Sequence, residues 1–455
     1  MSSLKKSIFR QYDIRGIFGV ELTEKDGELI GKAFGTMVLE LGENWVIVGR
    51  DNRKSSPILH RHVVTGLLST GVNVLDIGVV VSPIFYYATH LYKVPSGLMI
   101  TASHNPAPYN GLKIQLGGHT IYGNALQVLR ERANDGIFTQ GTGIVDYRSP
   151  VRDYTEMIKS KVNLGQKKIK VVVDCGNGTA GAFAPMILKE LGCEVIPLYC
   201  DSNPDFPHHF PDPVRPENLV DLIKAVRTTQ ADLGLGFDGD GDRLGVVDEQ
   251  GNIIWGDMLM ILFWREILPK YPGTPGIVEV KCSDLLVKEI AKLGGKPVFY
   301  KTGHSLIKAK MRELKAVFTG EMSGHMFFAD EYFGYDDAIY AAARLLRIIA
   351  ESGRYLSRLL SDLPQTFSTP ELRIPCSEKE KGFYVAQAKK YFVSKGLEII
   401  DVDGVRAIFP RGWGLVRASN TGPELIVRCE GETPDELEKI KAEIAKSIVP
   451  LSMKE

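Results

Sequence analysis

The chain has 455 residues, 44% apolar and 24% charged, and its 55 basic and 55 acidic side chains cancel to a formal net charge of zero. That balance gives no overall field for nucleic acid or an anionic membrane, and the length calls for about three or four domains. The start, Met1 to Lys6, is polar, no apolar run approaches the roughly 18 residues of a membrane span, and six scattered cysteines lack a Cys-x-x-Cys pair; a cytoplasmic protein without a zinc or disulfide framework is expected.

In chain order, a strand-helix-glycine-strand pattern occurs three times. The first copy runs Val46-Ile47-Val48, a helical pattern after Ser56-Pro57, then Gly71 and Val72 to Ile77. Serine before proline reads as a helix start, with the side-chain oxygen capping a free amide. The second copy has Val171-Val172-Val173, a helix from about Phe183 to Leu191, Gly192, and Glu194 to Leu198. The third has Ile277 to Val280, a helix from about Leu285 to Leu293, Gly294, and Pro297 to Tyr300. Each module then offers a further strand running into a polar loop: Gly97 to Ile100 into Ser103, Leu233 to Phe237 into Asp238, Ala316 to Phe318 into Glu321. Such βαβ units predict largely parallel sheets with ligands at the carboxyl ends of strands.

A proline-bearing run, Pro364 to Pro375, reads as a linker to a different last segment. There Val402-Asp403-Gly404-Val405 predicts a hairpin turn, Gly414 to Ala418 and Glu424 to Cys429 predict strands, and Thr433-Pro434-Asp435-Glu436 predicts a capped helix. The expected fold is α/β: three similar doubly wound α/β modules plus a C-terminal α+β domain around one central cleft, divided at residues 1–149, 150–252, 253–365 and 366–455.

The chemistry is carried by loops. Thr101-Ala102-Ser103-His104-Asn105-Pro106 displays a serine hydroxyl, a candidate nucleophile. In an extended turn adjacent side chains point apart, so Ser103 and His104 are not expected to pair, and the hydrolase elbow fails because Thr101 and Asn105 stand at its glycine positions. In Asp238-Gly239-Asp240-Gly241-Asp242-Arg243, glycines between three carboxylates allow all three to face one hard cation. A calcium loop is excluded by Arg243 at its glycine position and by strand-like flanks, and a dinucleotide site by the clustered negative charge. Lys113 and Arg243 are the nearest cations, and a metal, a serine and cations together point to phosphoryl chemistry. In the last segment Arg417, Ser419, Asn420 and Thr421 assemble a phosphate clamp.

These motifs, with Phe9-Arg10-Gln11-Tyr12-Asp13-Ile14-Arg15-Gly16 and Gly320-Glu321-Met322-Ser323-Gly324-His325, resemble the α-D-phosphohexomutases, specifically the bacterial-type phosphomannomutase/phosphoglucomutase, over essentially the whole length. The resemblance implies reversible interconversion of hexose 1-phosphate and hexose 6-phosphate (mannose, glucose or both) through phosphorylated Ser103 and a 1,6-bisphosphate of glucose or mannose. It implies Mg2+ on Ser103, Asp238, Asp240 and Asp242; basic neighbours Arg15, Lys113, Arg243 and His104; and Glu321 and Ser323 reading sugar hydroxyls. It further implies substrate contacts from Tyr12, Lys281, His304 and the Arg417–Thr421 clamp. His325 is the favoured acid/base, with His304 the other candidate. Phosphosugars are the expected partners of a monomer or weak homo-oligomer. The glucosamine enzymes usually carry glutamine at Met322 and glycine at Asn420, so both departures favour mannose and glucose. A metal-dependent phosphatase would need neither sugar loop nor clamp, and a non-catalytic sensor would be expected to have lost Ser103 or an aspartate.

Overall fold

A computed structural model describes residues 4–420 and 422–449. The chain divides into two compact units, Met1–Leu262 with Ser323–Leu359, and Phe263–Met322 with Leu360–Glu455.

In the first unit, Trp45–Arg50 lies between Gly97–Ile100 and Asn73–Val79, parallel to both, and Val145–Tyr147 continues the parallel set. On the other side, Tyr109–Leu116 pairs antiparallel with Gly97–Ile100 and with Ile14–Ile17. Val46, Val48, Leu98, Ile100 and Leu112 are fully buried in one cluster with Phe34, Leu59, Val63 and Leu67. Each such side chain contributes about 1.5–3 kcal/mol on leaving water. That packing makes the ends of the strands, rather than their faces, the places where polar loops collect. All of Gly97–Ile100 is buried, and Thr101 follows directly from its carboxyl end.

The second sheet of this unit places Leu233–Phe237 parallel to Lys170–Asp174 and antiparallel to Leu244–Asp248, with Phe237 opposite Leu244. The aspartate run is therefore the loop of a hairpin. The sheets are mixed rather than largely parallel, because a strand returning from a chemically loaded loop pairs with the strand that led into it.

In the second unit, Pro275–Glu279 is parallel to Lys296–Tyr300 and to Phe318–Gly320. The last of these lies two residues beyond its predicted start, because Lys315 closes helix His304–Leu314 in the left-handed region (φ 52°) and delays the extended backbone. The terminal sheet is antiparallel and runs Phe367–Ser368, Glu424–Gly431, Gly412–Ala418, Val405–Phe409, Glu398–Ile400. Helix Pro434–Ser447 starts as predicted, the Thr433 hydroxyl accepting from the Glu436 amide at 3.2 Å.

Two expectations are corrected. The Pro364 to Pro375 run is no free linker: Phe367–Ser368 and Leu372–Pro375 both pair antiparallel with Glu424–Gly431. Proline is tolerated there because an edge strand does not need every N–H. Helix Ser56–Leu68 does begin at the serine-proline pair, but Ser56 is its first helical residue, and its hydroxyl bonds Asp51 instead of capping an amide.

Candidate active site

The Ser103 loop is shaped from behind by an arginine. Arg53 is 1% exposed, and its two Nη atoms donate to four carbonyls: Ser103 O (2.6 Å), Asn105 O (2.6 Å), Pro106 O (2.7 Å) and Tyr109 O (3.1 Å). Asp51 lies 3.2 Å from its Nε and accepts from its amide. With its carbonyl drawn inward, Ser103 adopts φ 49°, a region that non-glycine residues enter at a cost and that recurs at functional sites.

That backbone corrects one expectation. Ser103 Oγ lies 2.9 Å from His104 Nδ1, because the left-handed residue folds onto one side two side chains that an extended turn would separate. The hydroxyl also donates to Asp238 Oδ2 at 2.6 Å, so serine and aspartate loops meet atom to atom. The meeting depends on Gly239, where a Cβ would lie 2.3 Å from Ser103 O.

Asp238, Asp240 and Asp242 are all buried, with a ligand atom of each within 4.8 Å of the others. Asp238 Oδ1 is committed to its own loop, accepting from the amides of Asp242 (2.9 Å) and Arg243 (3.1 Å). Burial, together with Asp242 and Asp240, pushes the Asp238 carboxyl well above the usual carboxylate range. Asp240 goes the other way: burial opposes its charge, but Lys113 and the Ser82 hydroxyl hold it below that range. Lys113 Nζ lies 2.6 Å from Asp240 Oδ2 and also pairs with Asp242. Despite its burial, these two carboxylates hold the lysine well above its ordinary value. Asp240 Oδ1 and Asp242 Oδ1 are buried without hydrogen-bond partners among the described residues. Three hard oxygen donors, two of them unsatisfied, fit a divalent cation of the magnesium type.

Arg15, Arg243, His325 and His104 lie on or against the serine and aspartate loops. Arg15 bonds Asn105 Oδ1 and Asp13. Arg243 Nε donates to His325 Nε2 at 3.0 Å, and Arg243 Nη1 lies 3.7 Å from Asp212. The lone pair of Nε2 is therefore engaged by Arg243, and His325 Nδ1 faces Asp336 Oδ2 at 3.1 Å and Asp242 Oδ1 at 3.6 Å. Burial first, then Arg243, Arg15, His325 and Lys113, push His104 well below its ordinary value. Tyr12 is half-buried and Ser323 lies in this unit, two residues before His325.

The second unit collects the remaining candidates. Lys281 Nζ lies 3.0 Å from Glu371 and 3.6 Å from Glu279, which outweigh burial and hold it above its ordinary value. Glu321, 2% exposed, accepts from the Gly303 amide at 2.7 Å, and His304 opens the next helix. Arg417 Nε donates to Asp403 Oδ2 at 3.0 Å, and Arg417 Nη2 is buried without a hydrogen-bond partner among the described residues. Lys381 Nζ donates to the carbonyls of Ser419 (2.6 Å) and Gly422 (3.1 Å), bracing the clamp loop from behind. Asn420 is exposed, and Thr421 lies outside the described residues.

Sequence reasoning missed Arg53, Asp51 and Ser82. A signal existed, since Asp51 and Arg53 follow strand Trp45–Arg50 and Ser82 follows Asn73–Val79, at the same carboxyl ends that singled out Ser103. Lys381, Asp336 and Asp403 carried no such signal.

The chain matches four domain models in order: phosphoglucomutase/phosphomannomutase α/β/α domain I over residues 6–139, domain II over 152–251, domain III over 255–367, and the C-terminal domain over 371–447. It is 47% identical to a phosphomannomutase/phosphoglucomutase of Pseudomonas aeruginosa, over 96% of this chain and 95% of that protein. It is 44% identical to a phosphoglucomutase of Neisseria gonorrhoeae, over 97% and 96%. A crystal structure of a phosphoglucomutase/phosphomannomutase family protein from Burkholderia thailandensis superposes with a TM-score of 0.92 at 41% identity, over 98% of this chain and 97% of that one.

Proposed function

The chain belongs to the phosphoglucomutase/phosphomannomutase family and is a phosphohexomutase that interconverts hexose phosphates, and on that premise we propose that Ser103 carries the phosphoryl group between substrate positions. The observation that carries this reading is the Ser103 hydroxyl itself, held in a left-handed turn 2.6 Å from one of three clustered aspartates.

In the first half-reaction the seryl O–P bond of phosphorylated Ser103 breaks as a P–O bond forms to the free hydroxyl of the sugar phosphate. The hydroxyl proton leaves to a base and the seryl oxygen takes a proton, giving a 1,6-bisphosphate and free Ser103. In the second half the other phosphoryl returns to Ser103. His325, buried with Nδ1 facing Asp336 and Nε2 accepting from Arg243, is the candidate proton carrier. A magnesium ion held by Asp238, Asp240, Asp242 and a phosphoseryl oxygen would offset the charge of the transferring group, with Arg15, Lys113, Arg243 and His104 as its protein neighbours.

Arg417, Ser419, Asn420 and Thr421 hold the phosphate that is not reacting; Glu321 and Ser323 accept from sugar hydroxyls; Tyr12, Lys281 and His304 complete the substrate contacts. With Glu321 and Ser323 on the third and fourth hydroxyls, this set leaves the second carbon, where glucose and mannose differ, unread, which supports mannose, glucose or both as substrates; strong rejection would need a hydrogen-bonding group there. Residues 1–149, 150–252, 253–365 and 366–455 are the corresponding functional divisions. We infer a cytoplasmic enzyme, monomeric or weakly associated, with a glucose or mannose 1,6-bisphosphate as its activator; among the described residues no helix is long and apolar enough to cross a membrane.

Intact mass before and after incubation with glucose 1,6-bisphosphate, followed by assays on glucose and mannose 1-phosphates with Mg2+, tests the reading. One phosphoryl is expected on the wild-type chain and none on Ser103→Ala, whose turnover falls on the order of 10³-fold or more. A Ser103→Ala variant with full activity removes the mechanism.

A further inference from the structure

We propose that Asp403 is a positioning residue that ties the phosphate clamp to the sugar-reading loop, so that both ends of a hexose phosphate are recognised as one geometry. The proposal rests on the reading of Arg417 and Glu321 as substrate groups.

A single carboxylate oxygen makes the tie. Asp403 Oδ2 accepts from Arg417 Nε at 3.0 Å and from the Thr302 amide at 3.1 Å. The two donors come from different sheets of the same compact unit, the terminal antiparallel one and the connection after Lys296–Tyr300. A charge-assisted bond to Nε fixes the plane of the guanidinium. Arg417 is 4% exposed, and the Nη2 that this arrangement leaves without a hydrogen-bond partner among the described residues is the donor available to a phosphate oxygen.

The other end of the tie reaches the sugar loop in two steps. Gly303, at φ 134°, follows Thr302 in a conformation suited to glycine, and its amide donates to Glu321 Oε1 at 2.7 Å. The Thr302 hydroxyl donates to one oxygen of Glu279, and the other oxygen accepts from the Met322 amide at 3.2 Å. Thr302–Gly303 is thus held by Asp403 on one side and by Glu321 and its neighbour on the other. A shift of Arg417 toward a bound phosphate moves the shared oxygen and is felt at Glu321. By linkage, occupancy of the sugar loop tightens the clamp by the same factor.

Asp403→Ala removes the shared acceptor, and Asp403→Asn keeps an acceptor oxygen of the same size but removes the charge that strengthens the bond to Arg417 Nε. Steady-state kinetics on glucose 1-phosphate are compared for the wild type, both variants, and a cycle of Glu321→Gln with Arg417→Ala made with and without Asp403. Asp403→Ala is expected to raise KM about 10-fold or more with kcat within about threefold, and Asp403→Asn to fall between. With Asp403 present, the Glu321 and Arg417 substitutions deviate from additivity in kcat/KM by about fivefold or more; without it they become additive. An unchanged KM in Asp403→Ala, a loss confined to kcat, or a coupling that survives the substitution overturns the proposal. If Asp403→Ala does not fold, Asp403→Asn carries the same test, with thermal unfolding run alongside. Single Glu321 and Arg417 variants that leave kcat/KM untouched would remove the substrate reading itself, and this proposal with it; that outcome is distinct from one in which they matter but ignore Asp403.

Discussion

Arg53 shows how one buried side chain sets the chemistry of another. Four carbonyls of the nucleophile loop converge on its guanidinium, which also stacks over Phe206 at 5.3 Å. Lysine cannot present a planar fork to four acceptors, so Arg53→Lys is expected to keep the fold but relax Ser103 from φ 49° toward ordinary backbone. A displacement of about 1 Å at a reacting oxygen lowers rates on the order of 10²-fold, and the rate of phosphoryl loading, followed by intact mass, reads it. Arg53→Met goes further, leaving Asp51 buried without its counter-charge at a cost of about 3–5 kcal/mol, visible as a lowered Tm. At this scale the sequence was informative where a residue type announces its chemistry, as with Ser103 and the three aspartates. It was silent where the role depends on which carbonyls come within reach, as with Arg53, and it misjudged His104, because no residue type signals a left-handed serine.

Among the elements, the strand-helix-strand units were legible because buried strands and amphipathic helices impose different apolar periods. Strand Leu233–Phe237 was found to the residue and the aspartate run was read as a loop between strand-like flanks, but the antiparallel return of Leu244–Asp248 was not foreseen. The run from Pro364 to Pro375 was misread because proline signals a break on its own, and only the neighbouring Glu424–Gly431 reveals an edge to pair with. The contact of the two loops in the first unit yields a prediction. Gly239→Ala drives a methyl to 2.3 Å from Ser103 O, backbone that cannot swing away. A destabilisation on the order of 3 kcal/mol and loss of turnover are expected, measured by denaturant unfolding and assay. Just before the second unit's strand Leu372–Pro375, Lys281 first, against burial and with help from Arg373, holds Glu371 down at about 2 from an ordinary 4.5. A depressed carboxylate stabilises the fold above its unfolded value and loses that contribution as pH falls through the folded one. With the side chain 24% exposed, screening leaves on the order of 1–2 kcal/mol. The stability gap between wild type and Glu371→Gln should therefore be widest near pH 7 and shrink between pH 4.5 and 2, as thermal unfolding across that range will show.

For the molecule as a whole, equal numbers of acidic and basic residues leave affinity to local clusters, and the most concentrated of these is the aspartate hairpin with Lys113 set into it. Three buried carboxylates would repel one another without a counter-charge, yet an internal lysine already pairs with two of them, and the third accepts from two backbone amides and a hydroxyl. Chelation is accordingly expected to abolish turnover while lowering Tm by only a few degrees, with full recovery on adding Mg2+; a cooperative collapse of the circular dichroism signal on chelation would contradict it. The lysine makes the protein a patient vessel. Synthesised in a cell short of the ion, it can fold, persist and be recruited later, so the supply of the cation governs how much of an existing pool is at work and not how much of it survives.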